Sequence, residues 1–345
     1  MSVLNIKSSS SNYDIIIEDN ALARLRDYVN GKCVVVIDSK VYSIWSDYID
    51  STLLRMNIDY HIVTVEGGEI NKNINNVLYM YGEFNKYGIT KSDKIVCIGG
   101  GVLGDMTAFA GATYLRGIDV IQVPTTLLSM VDSSIGGKSA IDMPFGKNLV
   151  GVIKSPALVL IDKRFLSSLD RRQLSTGMAE IIKSGLIADE NILVEAEKEE
   201  FDTEKLIELS LNVKGGVVMR DEFETGERMI LNFGHTVGHA IEALGEYIKY
   251  THGEAIAIGM NVALKLSEEI LGMDKDITLR AKALFKKFNL PYEHNYSTSE
   301  LMEYMRRDKK ARGDSVNFVL IEEIGNPVIK KIGFEELAKL IQSIN

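Results

Sequence analysis

The chain has 345 residues, of which 46% are hydrophobic and 25% charged, and it carries a formal net charge of −9 at pH 7. This length and composition predict a globular protein of about two domains, and two cysteines cannot build a disulfide framework. The negative charge argues against nucleic acid as a general partner, because a phosphate backbone is bound by a basic surface, whereas a small anionic ligand needs only a local cluster of lysine and arginine.

The first half of the chain alternates strand-like and helical segments. Short β-branched runs lie at residues 15–17, 34–37, 61–65, 95–98, 120–123 and 158–161. Helical stretches lie between several of them, among others at 73–87 and 105–114. This alternation predicts βαβ units and a parallel sheet covered on both faces.

From about residue 164 the pattern changes to long segments with helical spacing. They lie at residues 175–188, 203–219, 234–244 and 254–271. Two short strands, 317–323 and 327–332, are separated by a glycine-containing turn and predict a hairpin. We therefore predict an α/β domain at 1–163 and a mainly helical domain at 164–345.

A glycine-rich segment suggests nucleotide binding. The apolar strand at 94–98 runs into GGGVLGD at 99–105, where Gly99, Gly101 and Gly104 match G-x-G-x-x-G between a strand and a helix. Glycines let the backbone approach a pyrophosphate, and a helix N-terminus favours negative charge. A plain glycine-rich turn is the alternative, because this loop usually follows the first strand of the fold.

Two other segments bear on the same question. Asp38 follows the run 34–37, where its carboxylate can bond a ribose hydroxyl; a loop residue or a helix cap is the alternative. Residues 133–139 (SSIGGKS) look like a P-loop, but Asp132 occupies the position of the first required glycine. A carboxylate there would repel a triphosphate, which excludes a kinase or ATPase.

Three of the five histidines, His235, His239 and His252, lie within residues 232–253. His235 and His239 share a helix face, and two imidazoles with a carboxylate would make a zinc site with an open position. Helix-end histidines capped by carbonyls are the alternative, and spacing leaves open which two are ligands. Thr236 stands where H-E-x-x-H requires glutamate, so a zincin-type protease is not expected.

Further polar residues lie in otherwise apolar helical sequence. Glu180 and Lys183 share a helix face at i, i+3 spacing. The other candidates are Lys214, Glu224, Arg228, Asn232, Lys309 and Lys310. Taken singly, each is expected to be a solvated surface residue.

Together these motifs closely resemble the 3-dehydroquinate synthase family, a branch of the sugar phosphate cyclases. The resemblance covers nearly the whole chain, from Asp38 to residues 308–310. It rests on GGEINK, GGGVLGD, ATYLRG, PTTLLSMVDSSIGGKSAID, GKN, MAEIIKSGLI, NFGHTVGHAIE and HGEAIAIGM. It implies a Rossmann-like α/β N-terminal domain and a mainly α-helical C-terminal domain.

The resemblance also implies the site residues. A divalent metal, zinc or cobalt, is expected on Glu180, His235 and His252. NAD is expected on Asp38, Glu69, Lys72, Gly101, Val102, Leu103, Gly104, Asp105, Thr125, Thr126, Lys138, Lys147, Phe165, Leu166, Ser167 and Ser168. The substrate is expected on Asp132, Lys138, Asn148, Lys183, Lys214, Glu224, Arg228, Asn232, His239, His252 and one of Lys309 or Lys310.

Arg116 matches an arginine that the family presents across a dimer interface, so a homodimer is expected. The chain departs from the family's usual residues at 129–130, 142–143 and 152–154. None of these departures removes a residue with a family role.

The activity implied is that of a phosphorus–oxygen lyase. It converts 3-deoxy-D-arabino-heptulosonate 7-phosphate to 3-dehydroquinate and phosphate in the shikimate pathway, the route to aromatic amino acids. NAD-dependent transient oxidation is followed by phosphate elimination, reduction, ring opening and aldol closure. Alternatives are another sugar phosphate cyclase, a metal-dependent polyol dehydrogenase of the glycerol dehydrogenase type, and a non-enzymatic NAD-binding protein.

The sequence also bears on location. The N-terminal segment lacks the basic start and apolar stretch of a secretory signal, and no apolar run approaches the roughly 18–20 residues that span a bilayer. We therefore predict a cytoplasmic protein with no membrane partner.

Overall fold

The computed structural model of the chain describes residues 1–307 and 313–344. It divides into two compact units, Met1–Asp170 and Arg171–Asn345. The candidate residues Lys309 and Lys310 lie outside the described residues. Among the described residues, no helix is both long and apolar enough to span a membrane.

The first unit is built on strands that alternate with helices. Its elements are β1 Ser2–Lys7, β2 Asn12–Ile17, α1 Leu25–Tyr28, β3 Lys32–Asp38, α2 Ser39–Met56, β4 Asp59–Val65, α3 Ile74–Lys86, β5 Lys94–Gly99, α4 Gly101–Thr113, β6 Asp119–Pro124, β7 Lys138–Met143, β8 Gly146–Ile153 and β9 Leu158–Ile161. Short 3₁₀ segments lie at Ala21–Arg24, Glu69–Asn71, Tyr114–Arg116 and Lys163–Ser168, and a π-helical turn lies at Ser129–Ser133.

Within Met1–Asp170, seven strands form a sheet in the order β1-β2-β9-β6-β5-β3-β4. Every neighbouring pair in this order except β1–β2 is parallel, namely β2–β9, β9–β6, β6–β5, β5–β3 and β3–β4. This confirms the predicted parallel sheet. In β3, Cys33 to Ile37 are all 0% exposed, as expected of a strand buried on both faces. The sequence patterns do not predict β1, which pairs antiparallel to β2 at the edge. Only Ile6 of this strand is fully buried, so β1 lacks the continuous apolar run of a core strand.

The hairpin of β7 and β8 was also not predicted. These strands pair with each other in a separate two-stranded sheet. Most residues of β8 are exposed or half-buried, so the hairpin lacks the apolar run that identifies a core strand.

The division between the units falls after Asp170, beyond the expected boundary at residue 163. The turn Lys163–Ser168 packs within the first unit: the Phe165 ring is 1% exposed and lies edge-on to Trp45 with ring centroids 5.2 Å apart. The Trp45 indole Nε1 donates to Ser168 Oγ at 2.9 Å. These contacts join residues more than a hundred positions apart, so a local pattern does not reveal them.

The second unit is mainly helical, as predicted. Its elements are α5 Arg171–Ile187, α6 Glu190–Glu197, α7 Thr203–Arg220, α8 His235–Leu244, α9 His252–Leu271, α10 Lys275–Lys287, α11 Thr298–Arg307, β10 Ser315–Glu323, β11 Asn326–Gly333 and α12 Phe334–Ile344, with a 3₁₀ turn at Glu227–Asn232. The predicted hairpin is confirmed as the antiparallel pair β10–β11.

Helix α9 is the centre of this unit, packed against α5, α8, α10, α12 and β10. A capping box formed by Thr251 and Glu254 fixes its start. Its neighbours approach closely because two positions lack a side chain. A Cβ on Gly253 would lie 2.2 Å from the Thr176 carbonyl oxygen of α5, and one on Gly259 would lie 2.0 Å from the Gly234 carbonyl oxygen at the start of α8.

We expect Gly253→Ala to lower the free energy of unfolding by about 1–3 kcal/mol, because the added methyl group would force α9 away from α5. Gly82→Ala in α3 is the matched control, since a Cβ there meets no atom within 4 Å. Because Gly82 is an exposed position of α3, alanine there should raise the free energy of unfolding by about 0.5–1 kcal/mol. Urea unfolding of both variants measures the difference, and a Gly253→Ala variant as stable as the parent would contradict the close approach.

Candidate active site

Three potential metal ligands come together in the second unit, where two helices begin beside a third. Glu180 lies within α5, and His235 and His252 are the first residues of α8 and α9. One ligand atom of each lies within 4.8 Å of the others. The Nε2 atoms of His235 and His252 lie 3.6 Å and 3.5 Å from Glu180 Oε1.

Both imidazoles are held through their Nδ1 atoms. His252 Nδ1 lies 3.3 Å from the Glu242 carboxylate, and His235 Nδ1 lies 3.1 Å from the Phe233 carbonyl oxygen. Such partners of the second ring nitrogen orient a ligand histidine and fix its tautomer. Sequence reasoning missed Glu242; its signal is the i, i+3 spacing from His239, which is too common to use alone.

Glu180 supplies a buried charge with one unused oxygen. Its Oε2 accepts a hydrogen bond from Lys183 Nζ, while Oε1 has no hydrogen-bond partner among the described residues. Burial would raise the pKa of Glu180, but the Lys183 charge and the His252 ring outweigh it and lower that pKa to about 2. Two imidazole nitrogens and one ionised carboxylate oxygen are a ligand set that suits a divalent cation such as zinc.

The sequence spacing left open which two histidines are ligands. The structure groups His235 with His252, while the His239 ring lies beside them, with its centroid 5.4 Å from that of His235 and 6.3 Å from that of His252. His239 is one helical turn beyond His235 and is not part of the ligand cluster.

The expectation of solvated surface charges is wrong for three cations of this unit. Lys183, Lys214 and Arg228 are only 2%, 8% and 3% exposed. The side chain of Arg228 donates to the Glu222 carbonyl oxygen. Their burial could not be read from the sequence, because lysine and arginine at helical spacing are ordinarily surface residues.

The loop before Asn232 is ordered by a carboxylate. Asp221 accepts backbone hydrogen bonds from Thr225, Gly226 and Arg228 at 2.9, 2.8 and 2.9 Å. Although partial burial opposes it, these donors lower the pKa of Asp221 to about 2. The loop carries Glu224 in a left-handed conformation with φ of 58°.

The Glu224 carboxylate in turn fixes the side chain of a substrate candidate. Its Oε1 accepts a hydrogen bond from Asn232 Nδ2 at 2.6 Å. Glu224 and Asn232, which are eight positions apart in the chain, are therefore neighbours at one end of the 3₁₀ turn.

In the first unit, the glycine loop runs directly into a helix. Helix α4 begins at Gly101, four residues before the predicted start, because the glycines permit the sharp turn. A Cβ on Gly101 would lie 2.7 Å from Ser133 Oγ. The Thr125 backbone N–H donates to the Gly99 carbonyl oxygen at 2.9 Å, and Thr125 Oγ1 is buried without a hydrogen-bond partner among the described residues. Bare backbone amides at a helix start suit an anionic ligand.

Asp38 is a helix cap, the second of its two interpretations. Its Oδ1 accepts from the backbone N–H groups of Lys40 and Val41 at 2.8 and 3.3 Å. Its Oδ2 lies against Gly67, where a Cβ would be 1.9 Å away. One carboxylate oxygen thus caps the helix, and the other lies beside Gly67.

A buried ion pair joins distant candidate residues. Lys72, 5% exposed, donates to Asp105 Oδ2 at 2.6 Å and to Asn148 Oδ1 at 2.7 Å. Burial raises the pKa of Asp105 to about 6, although Lys72 opposes the shift. Lys147 forms a second ion pair, with Glu69.

The remaining cofactor and substrate candidates of this unit lie on turns and element ends. Phe165 is buried, and Ser168 is held by the Trp45 indole, a residue that the sequence reading did not single out. Asp132 lies in the π-helical turn and Lys138 begins β7. Val102 and Leu103 lie in the first turn of α4, Thr126 follows β6, and Leu166 and Ser167 belong to the Lys163–Ser168 segment.

Arg116 projects from a strained turn. Leu115, Arg116 and Gly117 have φ of 49°, 65° and 119°, a region that is unfavourable for residues other than glycine. Arg116 and Leu115 are both exposed.

We expect Lys72→Met to destabilise the protein by about 1–3 kcal/mol at neutral pH, because it removes the counter-charge of the Asp105 carboxylate, whose side chain is only 20% exposed. Protonation of Asp105 removes that charge, so the loss should be smaller at about pH 5 than at about pH 8. The double variant Lys72→Met/Asp105→Asn should recover most of the stability. Urea unfolding across this pH range measures these effects; a loss independent of pH would contradict the pairing.

Comparison with known proteins gives the family. The 3-dehydroquinate synthase N-terminal model matches residues 62–176, and the 3-dehydroquinate synthase C-terminal model matches residues 177–311. The chain is 39% identical to the 3-dehydroquinate synthase of Clostridium acetobutylicum over 357 aligned positions, which cover 100% of both chains. It is 40% identical to that of Streptococcus pneumoniae over 340 positions, which cover 94% of this chain and 95% of the relative.

A solved structure agrees with this assignment. A 2-deoxy-scyllo-inosose synthase, complexed with carbaglucose-6-phosphate, NAD+ and Co2+, superposes with a TM-score of 0.87 at 26% identity, covering 99% of this chain and 100% of the other. Both family models and relatives aligned over the full length match this chain. The chain therefore belongs to the 3-dehydroquinate synthase family.

Proposed function

We propose that this protein is a 3-dehydroquinate synthase, a phosphorus–oxygen lyase that converts 3-deoxy-D-arabino-heptulosonate 7-phosphate to 3-dehydroquinate and phosphate. The observation that carries the proposal is the cluster of Glu180, His235 and His252 beside the buried Lys183, in a chain that matches 3-dehydroquinate synthases along its whole length. The reaction belongs to the shikimate pathway.

The metal is assigned to Glu180, His235 and His252. The unpartnered Glu180 Oε1, which faces both Nε2 atoms, supports this assignment. Three protein ligands leave an open position for substrate oxygens. When bound, zinc or cobalt supplies a Lewis acid that lowers the pKa of a substrate hydroxyl and polarises a ketone.

NAD is assigned to the first unit. The bare start of α4 at Gly101, the unpartnered Thr125 hydroxyl and the remaining oxygen of Asp38 support this assignment. When bound, NAD supplies a hydride acceptor that is regenerated within the same turnover, so the overall reaction has no net redox change. Lys72 and Asp105 hold each other and shape the loop, and Ser168 is held toward the same end of the sheet by Trp45.

The chain's cations account for binding of a substrate with a carboxylate and a phosphate. Lys183, Lys214 and Arg228 are buried, and a desolvated cation attracts an anion more strongly than a surface one. Lys183 contacts Glu180 and can also reach a substrate oxygen beside the metal position. His239, next to His235 but outside the ligand cluster, is assigned a proton-transfer role at the substrate.

We also assign Arg116 to the substrate phosphate of a second copy of the chain. Leu115 next to Arg116 and Val150 and Ile153 of β8 are apolar yet 43%, 40% and 45% exposed. In a two-fold assembly each site would then use residues of both chains.

The buried free thiols Cys33 and Cys97 are consistent with a cytoplasmic protein.

The first test uses the purified protein with catalytic NAD and the heptulosonate phosphate. We expect phosphate release over many turnovers without accumulation of NADH, with 3-dehydroquinate identified by mass spectrometry and NMR. Chelation should abolish activity, and zinc or cobalt should restore it. His252→Ala should lower metal content measured by atomic emission.

The outcomes separate the alternatives. NADH that accumulates in step with substrate loss would identify a polyol dehydrogenase. A hexose 6-phosphate turned over in preference to the heptulosonate phosphate would identify another sugar phosphate cyclase. Full metal occupancy in His252→Ala would remove that histidine from the ligand set.

The second test concerns Arg116. We expect Arg116→Ala to lower kcat/KM by about ten- to a hundredfold, because an arginine–phosphate contact is a charge-assisted hydrogen bond, and to leave NAD and metal binding intact. Mixing the impaired Arg116→Ala and Lys183→Ala dimers should restore up to half of the parent activity in each mixed dimer. Each mixed dimer would have one intact site and one doubly altered site.

Subunit exchange is checked by mass spectrometry of differently tagged chains. If the chains exchange and no activity returns, Arg116 acts within its own chain.

A further inference from the structure

The turn that carries Arg116 is followed by a carbonyl oxygen that accepts a hydrogen bond from the residue after β8. Residues 115–117, called here the arginine turn, have three consecutive positive φ angles. Two of these residues are not glycine, and left-handed conformations of such residues persist only where surrounding contacts hold them. The contacts around the turn therefore decide the direction of the Arg116 side chain.

The two ends of the arginine turn are anchored separately. Before it, the Tyr114 ring lies edge-on to Phe84, with centroids 5.4 Å apart, and stacks on Tyr81 at 5.8 Å. After it, Ile118 is 1% exposed and its N–H donates to the Gly111 carbonyl oxygen at 2.7 Å. The Gly117 N–H also donates to the Tyr114 carbonyl oxygen at 2.9 Å, which closes the turn on its first anchor.

Lys154 contacts the turn itself. It directly follows β8, and its Nζ donates to the Ile118 carbonyl oxygen at 3.0 Å. A Cβ on Gly117 would lie 3.1 Å from the same nitrogen, so the ammonium group occupies the space that a side chain at position 117 would need. The backbone N–H of Lys154 donates to the Gly137 carbonyl oxygen at 2.8 Å, which fixes the base of the side chain.

The charges around Lys154 are consistent with a structural contact. Burial lowers the pKa of the Lys154 ammonium group, and the carboxylate of Asp119 offsets this only in part. Asp119 is itself paired with Lys94, at 2.6 Å. Lys154 thus donates its hydrogen bond to the Ile118 carbonyl oxygen beside the turn. An apolar side chain at position 154 would leave that oxygen without this donor.

We infer that Lys154 is a positioning residue that fixes the arginine turn and thereby directs Arg116 toward the substrate phosphate. The inference rests on the proposed role of Arg116. Lys154 lies at one of the positions where the chain departs from its family's usual residues, so this support belongs to this chain.

The test compares Lys154→Met with Lys94→Met. Both variants remove one positive charge and keep a long side chain, but Lys94 contacts Asp119 and not the arginine turn. We expect Lys154→Met to raise KM for the heptulosonate phosphate by about three- to tenfold, because the hydrogen bond to the Ile118 carbonyl oxygen is lost. NAD affinity, metal content and the melting temperature should stay near those of the parent. Lys94→Met should leave KM within about twofold.

A double-variant cycle distinguishes positioning from direct contact with the phosphate. If Lys154 acts through Arg116, Lys154→Met should have little further effect once Arg116→Ala is present. An equal loss in both backgrounds would mean that Lys154 binds the phosphate itself and would overturn the inference. Lys154→Arg, which retains a donor for the Ile118 carbonyl oxygen, should recover part of the loss.

Hydrogen exchange of residues 112–119 provides a readout independent of activity. Lys154→Met should accelerate exchange of the Gly117 and Ile118 amides, and Lys94→Met should not. Unchanged exchange in Lys154→Met would overturn the inference whatever the kinetics. Faster exchange combined with a fully active Arg116→Ala variant would instead refute the role of Arg116 in the proposed function.

Discussion

The buried carboxylate of Glu180 is the group on which the C-terminal unit's site depends. An ionised carboxylate is stable in a protein interior only if opposite charge and polar groups surround it. Lys183 on the same helix supplies the charge, and His235 and His252 face the remaining oxygen. Both histidines begin a helix, so the site depends on the packing of α9 against α5 and α8. That packing needs the missing side chains of Gly253 and Gly259.

The N-terminal unit also holds an ion pair in its interior. Lys72 and Asp105 are far apart in sequence and are joined inside the unit, where neither would be stable alone. The pair ties the start of α3 to the first turns of α4, and Asn148 of the β7–β8 hairpin shares the Lys72 ammonium group. Polar contacts rather than apolar packing therefore set the shape of the loops around the glycine segment.

The net charge of −9 gives no indication of the anionic substrate. Among the described residues four cations are buried, namely Lys72, Lys183, Lys214 and Arg228. Each acts at short range in a medium that screens its charge weakly. The surface charge governs solubility and encounter, whereas in the proposed function these few buried groups bind the substrate. An acidic protein can thus hold a substrate that carries two anionic groups.

The sequence by itself determined the parallel sheet, the helical second half and the family, because β-branched runs, helical spacing and continuous motifs are local properties. The tertiary structure decided which histidines meet: His235 and His239 are four residues apart, yet His252 is the one grouped with His235 and Glu180. It also decided the burial of Lys183 and the course of the β7–β8 hairpin. These features depend on distances between residues far apart in the chain, which follow from helix packing and glycine contacts and not from any local pattern.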